Sequence, residues 1–396
     1  MVRRYRGRWG RFSIRSGMAG RVMLPTIRRS AKQGHCIRTC AQRISHVHVH
    51  SGRLVFVCCN STVLCQKHLP DQMSKPMAPI ALASRSTLLA EADPPHWDLG
   101  DIVLALRQSR EHQHKVRHRG HIREMPSRDV MAQVVHGLGA ALFPTHYGRP
   151  DLSDESIDYY VGETLNHTLL LLSEQVRRGL LFSLDSDSEP HHGGDLALHE
   201  QAQRITREFA RRLVGVRALL ASDLQSAFAG DPAATSVSEI LLCYPGFTAI
   251  LHHRLAHELH ELGAPVLARL VADIAHSRTG IDIHPGAQIG PAFFIDHGTG
   301  VVIGETTVIG RGVRLYQAVT LGAKRFATDE TGALVKGNPR HPIVEDEVVI
   351  YAGATVLGRI TVGAGSTIGG NVWLTHSVPP GSHITQAQTQ TRDTPA

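Results

Sequence analysis

From Gly280 onward the sequence repeats a unit of six residues. Each unit begins with an aliphatic residue, and in most units a small or β-branched residue follows four places later. In such a repeat each unit forms a short strand and a tight turn, and three units close a triangular coil with the leading residues stacked inside. The pattern therefore predicts about four coils of a parallel β-helix. The thirteen leading residues are Ile283, Ile289, Ile295, Ile303, Ile309, Leu315, Leu321, Val344, Ile350, Val356, Val362, Ile368 and Leu374.

The region before the repeat has apolar residues at helical spacing, as in the series Leu251, Leu255 and Leu259. This spacing predicts an all-α domain over residues 95–278, followed by the β-helix over residues 280–380 and a flexible tail over residues 381–396. The predicted fold class is accordingly α+β, with an N-terminal all-α domain and a C-terminal β-helix.

The first 75 residues differ from the rest in charge. Residues 1–70 contain 14 Lys and Arg and no acidic residue, whereas the remainder has 28 basic and 35 acidic side chains, a net charge of −7. The overall charge of +7 therefore gives no support for nucleic-acid binding by the body of the chain. We expect residues 1–75 to be a disordered leader or an upstream extension of the coding sequence, with an organelle-targeting segment as the alternative.

The hexapeptide period fails at two places, and insertions in a repeat fold project from one face and carry function. The spacing from Ile295 to Ile303 is eight residues, so two extra residues bulge beside His297. The stretch between Leu321 and Val344 is too polar and too rich in Gly for a coil and predicts an extruded loop over an active site. A histidine at such a bulge suits a general base that deprotonates a hydroxyl.

The residues at these breaks resemble the serine acetyltransferase family. The matching motifs are Asp282-Ile283-His284-Pro285, Ile295-Asp296-His297-Gly298-Thr299-Gly300, Gly304-Glu305-Thr306 and Arg340-His341-Pro342, preceded by Gly230-Asp231-Pro232-Ala233. The resemblance covers about residues 205–385 and implies a left-handed β-helix and transfer of an acetyl group from acetyl-coenzyme A to L-serine for cysteine biosynthesis.

By this resemblance, His297 is the general base that removes the proton of the serine hydroxyl. Asp282 orients the His297 imidazole and stabilises its charged form. Asp231 and Asp296 bind the ammonium and hydroxyl groups of serine. A capping role for Asp231 is the simpler alternative.

Two further residues implied by the resemblance lie in the extruded loop. Arg340 meets the serine carboxylate as a planar fork, with His341 beside it.

The resemblance also implies the binding mode of acetyl-coenzyme A, the only co-substrate expected. It lies along a groove between neighbouring subunits and touches the backbone near Ala323, Ala352, Thr367 and Gly370. The assembly is therefore expected to be a homotrimer, with a dimer of trimers as the alternative. No metal, nucleic acid or membrane is expected to take part.

Three other functions remain as alternatives. The first is a hexapeptide-repeat O-acetyltransferase that acts on a sugar, and the second is a non-catalytic trimeric scaffold. The third is a γ-type carbonic anhydrase with His284, His297 and His341 as zinc ligands, although these histidines lack the expected spacing of two on one strand.

Cysteine use and the C-terminal tail bear on location and partners. Five of the six cysteines lie in the leader and no disulfide framework is evident, which favours a reducing, cytoplasmic location.

Serine acetyltransferases often insert a C-terminal isoleucine into the sulfhydrylase that forms cysteine. This chain ends in Pro395-Ala396, which predicts weak or absent binding to that enzyme.

Overall fold

The computed structural model divides into two compact units, Met1–Trp97 and Asp98–Ala396. The residues that it describes are 44–50, 53–58, 61–64, 97–113, 117–118, 121–122, 124–184, 195–325 and 329–386. In the first unit, strands β1 (Ile44–His50), β2 (Arg53–Cys58) and β3 (Ser61–Leu64) form an antiparallel sheet in that order. The sequence analysis does not predict this sheet. The rest of the basic leader lies outside the described residues.

The second unit begins with the helical region. Its described elements are helix α1 (Gly100–Gln113), the two-stranded pair β4 (Arg117–His118) and β5 (His121–Ile122), helix α2 (Arg128–Leu142), a π-helical turn (Pro144–Gly148), and helices α3 (Ile157–Leu184), α4 (Asp195–Gly230), α5 (Val237–Cys243), α6 (Pro245–Glu261) and α7 (Pro265–Thr279). None of the described helices has the length and hydrophobicity needed to cross a lipid bilayer.

Local sequence signals set the ends of several helices. The Ser127 and Ser236 hydroxyls cap α2 and α5 by accepting hydrogen bonds from backbone N–H groups of the first turn. Gly280 ends α7 in the left-handed conformation, with φ of 69°, which costs glycine little because it has no Cβ. The chain then enters the β-helix directly.

The β-helix consists of short parallel strands. They are β6 (Asp282–Ile283), β7 (Gln288–Ile289), β8 (Phe294–Ile295), β9 (Val302–Ile303), β10 (Val308–Ile309), β11 (Arg314–Leu315), β12 (Thr320–Gly322), β13 (Ile343–Val344), β14 (Val349–Ile350), β15 (Thr355–Leu357), β16 (Thr361–Val362), β17 (Thr367–Ile368), β18 (Trp373–Leu374) and β19 (His383–Ile384).

These strands form three sheets. Sheet I contains β6, β9, β12, β15 and β18, sheet II contains β7, β10, β13 and β16, and sheet III contains β8, β11, β14, β17 and β19. All thirteen predicted leading residues lie in these strands, and all of them except Ile289 are buried. In sheet I, for example, Ile283 pairs with Ile303 and Ile303 with Leu321. The predicted repeat and the stacking of its leading residues are confirmed.

A buried ion pair joins the helical region to the first coil. The Arg254 guanidinium of α6 donates to both carboxylate oxygens of Asp223 in α4, at 2.7 and 2.9 Å. Arg254 also donates to the carbonyls of Ile289 and Gly290, while Asp223 accepts from the backbone N–H of Phe293. Since an unpaired charge would be costly in this position, the network fixes where α4 and α6 lie on the β-helix.

Candidate active site

The chain passes from sheet I to sheet II and then to sheet III, so the site residues can be located by the turn that carries them. The turn from sheet III to sheet I after β8, residues 296–301, is called here the His297 corner. The turns from sheet I to sheet II, which include Glu305, Thr306, Arg340 and His341, form the Arg340 corner. The two corners lie on opposite edges of sheet I.

The eight-residue interval places an exposed imidazole at the His297 corner. His297 has φ of 58°, in the left-handed region, and its side chain is 72% exposed. Its Nδ1 lies 3.7 Å from Oδ1 of Asp296, whose side chain is only 15% exposed. This distance is too long for a hydrogen bond but allows ion pairing when the imidazole is protonated.

Asp231 follows the end of α4 and is held by two donors. The Tyr244 hydroxyl donates to Oδ2 at 2.5 Å, and the Ala233 N–H donates to Oδ1 at 2.8 Å. These hydrogen bonds, first that from Tyr244, hold the pKa of Asp231 below its usual value, and the charges of His297 and Arg314 act in the same direction. The Asp231 carboxylate is therefore ionised at neutral pH and lies within electrostatic range of His297.

Tyr244, in turn, lies among carboxylates. Its hydrogen bond to Asp231, together with burial and nearby Asp231, Glu239 and Asp296, raises the pKa of Tyr244 to about 12. The phenol is thus a fixed hydrogen-bond donor. No motif in the sequence signals the contact of this residue with Asp231.

Two glycines allow the helices to approach the His297 corner closely. A Cβ on Gly246 would lie 2.1 Å from the Ile295 carbonyl oxygen, and one on Gly230 would lie 2.3 Å from Nη2 of Arg314. Arg314 itself lies over the ring of Phe294, with Cζ 5.5 Å from the ring centroid. Arg314 is a second residue that the sequence analysis does not identify.

Asp282 opens β6, and its N–H donates to the Val301 carbonyl at 2.9 Å, just beyond the His297 turn. Within the described part of the chain, the carboxylate within 4 Å of the His297 imidazole is that of Asp296, and Asp282 forms no ion pair with it. The contact between Asp282 and His297 implied by the resemblance therefore stays a prediction.

The Arg340 corner is densely hydrogen-bonded. The Arg340 guanidinium donates to Oε2 of Glu305 at 2.5 Å. The Thr306 hydroxyl accepts from the backbone N–H groups of Arg340 and His341, and the Arg359 guanidinium donates to the carbonyls of Thr306 and His341. Glu305 and Thr306 belong to the resembling motif, but the resemblance implies no role for either of them.

Burial and charge act together on the titratable groups of this corner. Burial, and next the charge of Arg269, lowers the pKa of His284 to about 4. Burial, and next the charge of Arg340, lowers the pKa of His341 as well. For Glu305 burial opposes ionisation, but the hydrogen bond from Arg340 and the nearby positive charges leave its pKa below the usual value. Both histidines are therefore neutral at pH 7, and Glu305 is charged.

The positions aligned with acetyl-coenzyme A contacts also divide between the two edges of sheet I. Ala352 and Gly370 lie in turns from sheet III to sheet I, above His297, and the Ala352 carbonyl accepts from the Asn371 N–H at 2.9 Å. Thr367 lies in β17 of sheet III, next to that edge. Ala323 lies just after β12, at the other edge, where the long loop begins.

One chain thus brings Asp231, Asp296 and His297 together at one corner and Arg340 and His341 together at the other. The three candidate zinc ligands are divided in the same way, because His284 and His341 lie at the Arg340 corner and His297 does not. Among the residues that the structure describes, no three His, Cys, Asp or Glu side chains are placed to hold a metal ion.

A parallel β-helix of hexapeptide repeats with a histidine and carboxylates at one corner defines the class of hexapeptide-repeat acyltransferases. The chain is 61% identical to the plasmid serine acetyltransferase of Synechococcus elongatus over 264 residues, which are 67% of this chain and 82% of the relative. It is 48% identical to the serine acetyltransferase of Mycobacterium tuberculosis over 41% of this chain and 67% of that one. No family model matches the chain.

Solved structures agree with these relatives. Serine acetyltransferase isoform 3 of Entamoeba histolytica, in complex with cysteine, matches with a TM-score of 0.53 and 32% identity over 74% of this chain and 91% of that chain. The native serine acetyltransferase 1 of the same organism matches with a TM-score of 0.54 and 33% identity over 72% and 97%. The chain belongs to the serine acetyltransferase family, and its fold is a left-handed parallel β-helix preceded by helices.

Proposed function

We propose that this chain transfers the acetyl group of acetyl-coenzyme A to the hydroxyl of L-serine, with His297 as the general base. The observation that carries the proposal is the His297 corner, where an exposed imidazole lies beside Asp296 and within electrostatic range of ionised Asp231. This combination suits serine as the acceptor, because the imidazole can take the proton of the serine hydroxyl and the carboxylate can bind the serine ammonium group.

The reaction follows from these groups. His297 takes the proton of the serine hydroxyl as the oxygen attacks the thioester carbonyl. The tetrahedral intermediate then expels the coenzyme A thiolate, which receives the proton from the imidazolium. Nδ1 of His297 faces the Asp296 carboxylate at 3.7 Å, which favours a hydrogen on Nδ1, so we assign the unprotonated Nε2 to the hydroxyl. Asp282, which lies below the same turn, is proposed to stabilise the imidazolium. No metal is needed for this step.

The rest of the substrate is proposed to be bound by charge. Asp231 is pre-ordered by Tyr244 and Ala233, so that its carboxylate is fixed before the serine ammonium arrives. Arg340 presents a guanidinium that can pair with the serine carboxylate, and Glu305 holds one end of it in place.

A complete site is proposed to need two chains. The His297 corner and the Arg340 corner lie at opposite edges of sheet I, whose outer face exposes Val302 and Trp373. Three copies packed about an axis parallel to the β-helix, each with sheet I turned inward, would bring the His297 corner of one chain against the Arg340 corner of the next. Acetyl-coenzyme A would then lie between chains, near Ala352, Thr367 and Gly370 of one and Ala323 of the other.

We propose a cytoplasmic location, because five of the six cysteines lie in the leader and no disulfide framework is evident in the sequence. Cys243, in α5, is an exposed free thiol, as suits a reducing compartment.

The proposal is tested by mixing the full chain with acetyl-coenzyme A and L-serine and following free coenzyme A with a thiol reagent. We expect turnover with serine and little with threonine, homoserine or amino sugars. Turnover with a sugar but not with serine would reassign the substrate, and no turnover with any acceptor would favour the scaffold. Light scattering of the same sample is expected to give a trimer or a multiple of three.

A further inference from the structure

The hydroxyl of Thr306 has every hydrogen-bonding position filled by the segment that carries Arg340. Its oxygen accepts from the N–H of Arg340 at 2.9 Å and from the N–H of His341 at 3.1 Å. It also lies 2.9 Å from Nδ1 of His341. Because a hydroxyl has two acceptor positions and one hydrogen, the hydrogen is left to point at Nδ1.

Nδ1 of His341 therefore acts as an acceptor. It receives the Thr306 hydroxyl and also the Thr306 backbone N–H, at 3.1 Å, and a backbone N–H can only donate. A hydrogen on Nδ1 would oppose both donors. The neutral imidazole must then carry its hydrogen on Nε2.

The Nε2 edge of His341 packs on Gly304, where a Cβ would lie 2.1 Å from Nε2 and 2.0 Å from Cδ2. His341 is only 7% exposed, yet within the described part of the chain Nε2 has no hydrogen-bond partner. Nε2 is not among the fully buried side-chain atoms that lack a partner in the described part of the chain, so this edge of the ring keeps contact with solvent and its hydrogen can be met by an acceptor from outside.

The charges that face His341 come from three segments. Arg340 from its own loop and Arg359 from the next coil disfavour an imidazolium, while Glu305 from the coil before favours one. Burial acts with the two arginines and lowers the pKa of His341.

We infer that Thr306 is a positioning residue that holds His341 as a neutral imidazole with its hydrogen on Nε2, and so presents a fixed donor, beside Arg340, to the carboxylate of the amino-acid substrate. This rests on the proposed function, in which Arg340 pairs with that carboxylate. Gly304 also helps to position His341, since any side chain at residue 304 would displace the imidazole ring.

The test compares Thr306→Val, which removes the hydroxyl at nearly constant shape, with Thr306→Ser, which keeps it. In calorimetry of the full chain with L-serine, we expect Thr306→Val to weaken binding about tenfold or more, as for a lost buried hydrogen-bond acceptor, and Thr306→Ser to stay within about threefold of the native protein. In kinetics, the KM for serine rises in Thr306→Val, while kcat and the KM for acetyl-coenzyme A change little.

The pH dependence separates positioning from mere support of the loop. Without the hydroxyl, Nδ1 loses one of its two donors and can accept a proton, which adds a positive charge beside the substrate carboxylate. The ratio of kcat/KM for serine in Thr306→Val to that in the native enzyme should therefore rise towards acidic pH, and the contribution of His297 cancels in the ratio. A ratio that is flat from pH 5.5 to pH 8 would overturn the inference, as would equal serine affinity in the Val and Ser variants.

A second pair of variants tests the donor itself. Glutamine at position 341 can place an amide N–H near the position of Nε2, whereas asparagine can replace only Nδ1. We expect His341→Gln to bind serine more tightly than His341→Asn, and the reverse order would contradict the assigned tautomer. If the native chain binds serine but transfers no acetyl group to it, the proposed function fails while these binding comparisons still decide the role of Thr306.

Discussion

His297 has the left-handed backbone conformation and lies in the turn after β8, which is two residues longer than the hexapeptide period requires. Its side chain is 72% exposed, so removing the imidazole takes away little buried contact. We therefore expect His297→Ala to leave the fold intact and to lower kcat by about two to four orders of magnitude, the usual contribution of a positioned general base.

The measurement is steady-state turnover with serine, accompanied by thermal unfolding. His276→Ala, at an exposed histidine in the last turn of α7, is the matched control and should keep native turnover. Turnover within a few fold of native in His297→Ala would remove the imidazole from the role of base.

Tyr244 offers a milder test at the same corner. Tyr244→Phe removes the 2.5 Å hydrogen bond to Asp231, so the pKa of Asp231 rises towards its usual value and the carboxylate loses one of its two restraints. We expect the KM for serine to rise about three- to tenfold with kcat nearly unchanged, in line with one hydrogen bond to a charged group. Tyr159→Phe, at a side chain that is 82% exposed, serves as the control. An equal rise in the KM for acetyl-coenzyme A would instead indicate a general disturbance of the corner.

The sequence predicts site residues unevenly, and the reason is physical. His297 is signalled by a break in a strict period, which is a local feature of the chain. Tyr244, by contrast, reaches Asp231 because α4 ends and α6 begins against the same coil, and Thr306 meets His341 across 35 positions of sequence. Such contacts depend on how elements pack, and no spacing within a single sequence encodes them.

Helix α6 shows how packing sets the chemistry of a whole element. Its His252 and His253 are buried, and burial lowers the pKa of His252 to about 4. Nδ1 of His252 donates to the Thr248 carbonyl at 2.7 Å, and Nε2 is one of the buried atoms without a partner in the described part of the chain. The folded state therefore holds this imidazole neutral.

The sign of the resulting pH effect follows from linkage. Above about pH 6.5 His252 is neutral in both the folded and the unfolded chain, so its titration does not lower the free energy of unfolding. As the pH falls from 6.5 towards 4, the unfolded chain binds a proton that the folded chain does not, and the free energy of unfolding decreases. We expect the native protein to lose about 2 kcal/mol more than His252→Asn between pH 7 and pH 5.

Urea denaturation at the two pH values measures this difference. Asparagine keeps a donor for the Thr248 carbonyl but does not titrate, and His276→Asn in α7 is the control at an exposed histidine. Identical pH slopes for the native protein and His252→Asn would show that burial does not hold His252 neutral.

At the level of elements, the repeat is read from the sequence more completely than the helical region is. Each leading residue must point inward once per strand, so a period of six fixes the strands and their pairing. Helical spacing predicts helices at 95–278 but not how they dock, because docking depends on the Arg254 and Asp223 pair, which are 31 positions apart. The sheet of β1, β2 and β3 carries no comparable period and was not predicted.

The residues proposed to bind one serine lie at two opposite edges of sheet I, which we attribute to a site shared between neighbouring copies of the chain. If the site forms between neighbouring copies, a chain without His297 still offers a sound Arg340 corner, and a chain without Arg340 still offers a sound His297 corner. Two inactive chains should then restore activity to each other.

We expect His297→Ala and Arg340→Ala chains to be nearly inactive when purified separately and to regain activity when co-expressed. In a randomly mixed trimer with equal amounts of both chains, a site is intact when its first chain keeps His297 and its second keeps Arg340, so about a quarter of native activity should return. Co-expression of His297→Ala with the double variant His297→Ala/Arg340→Ala is the matched control, because no pairing of these chains provides His297. Mass spectrometry of intact assemblies verifies that the chains mix. Mixed assemblies that stay inactive would place the whole site within one chain and contradict the shared arrangement.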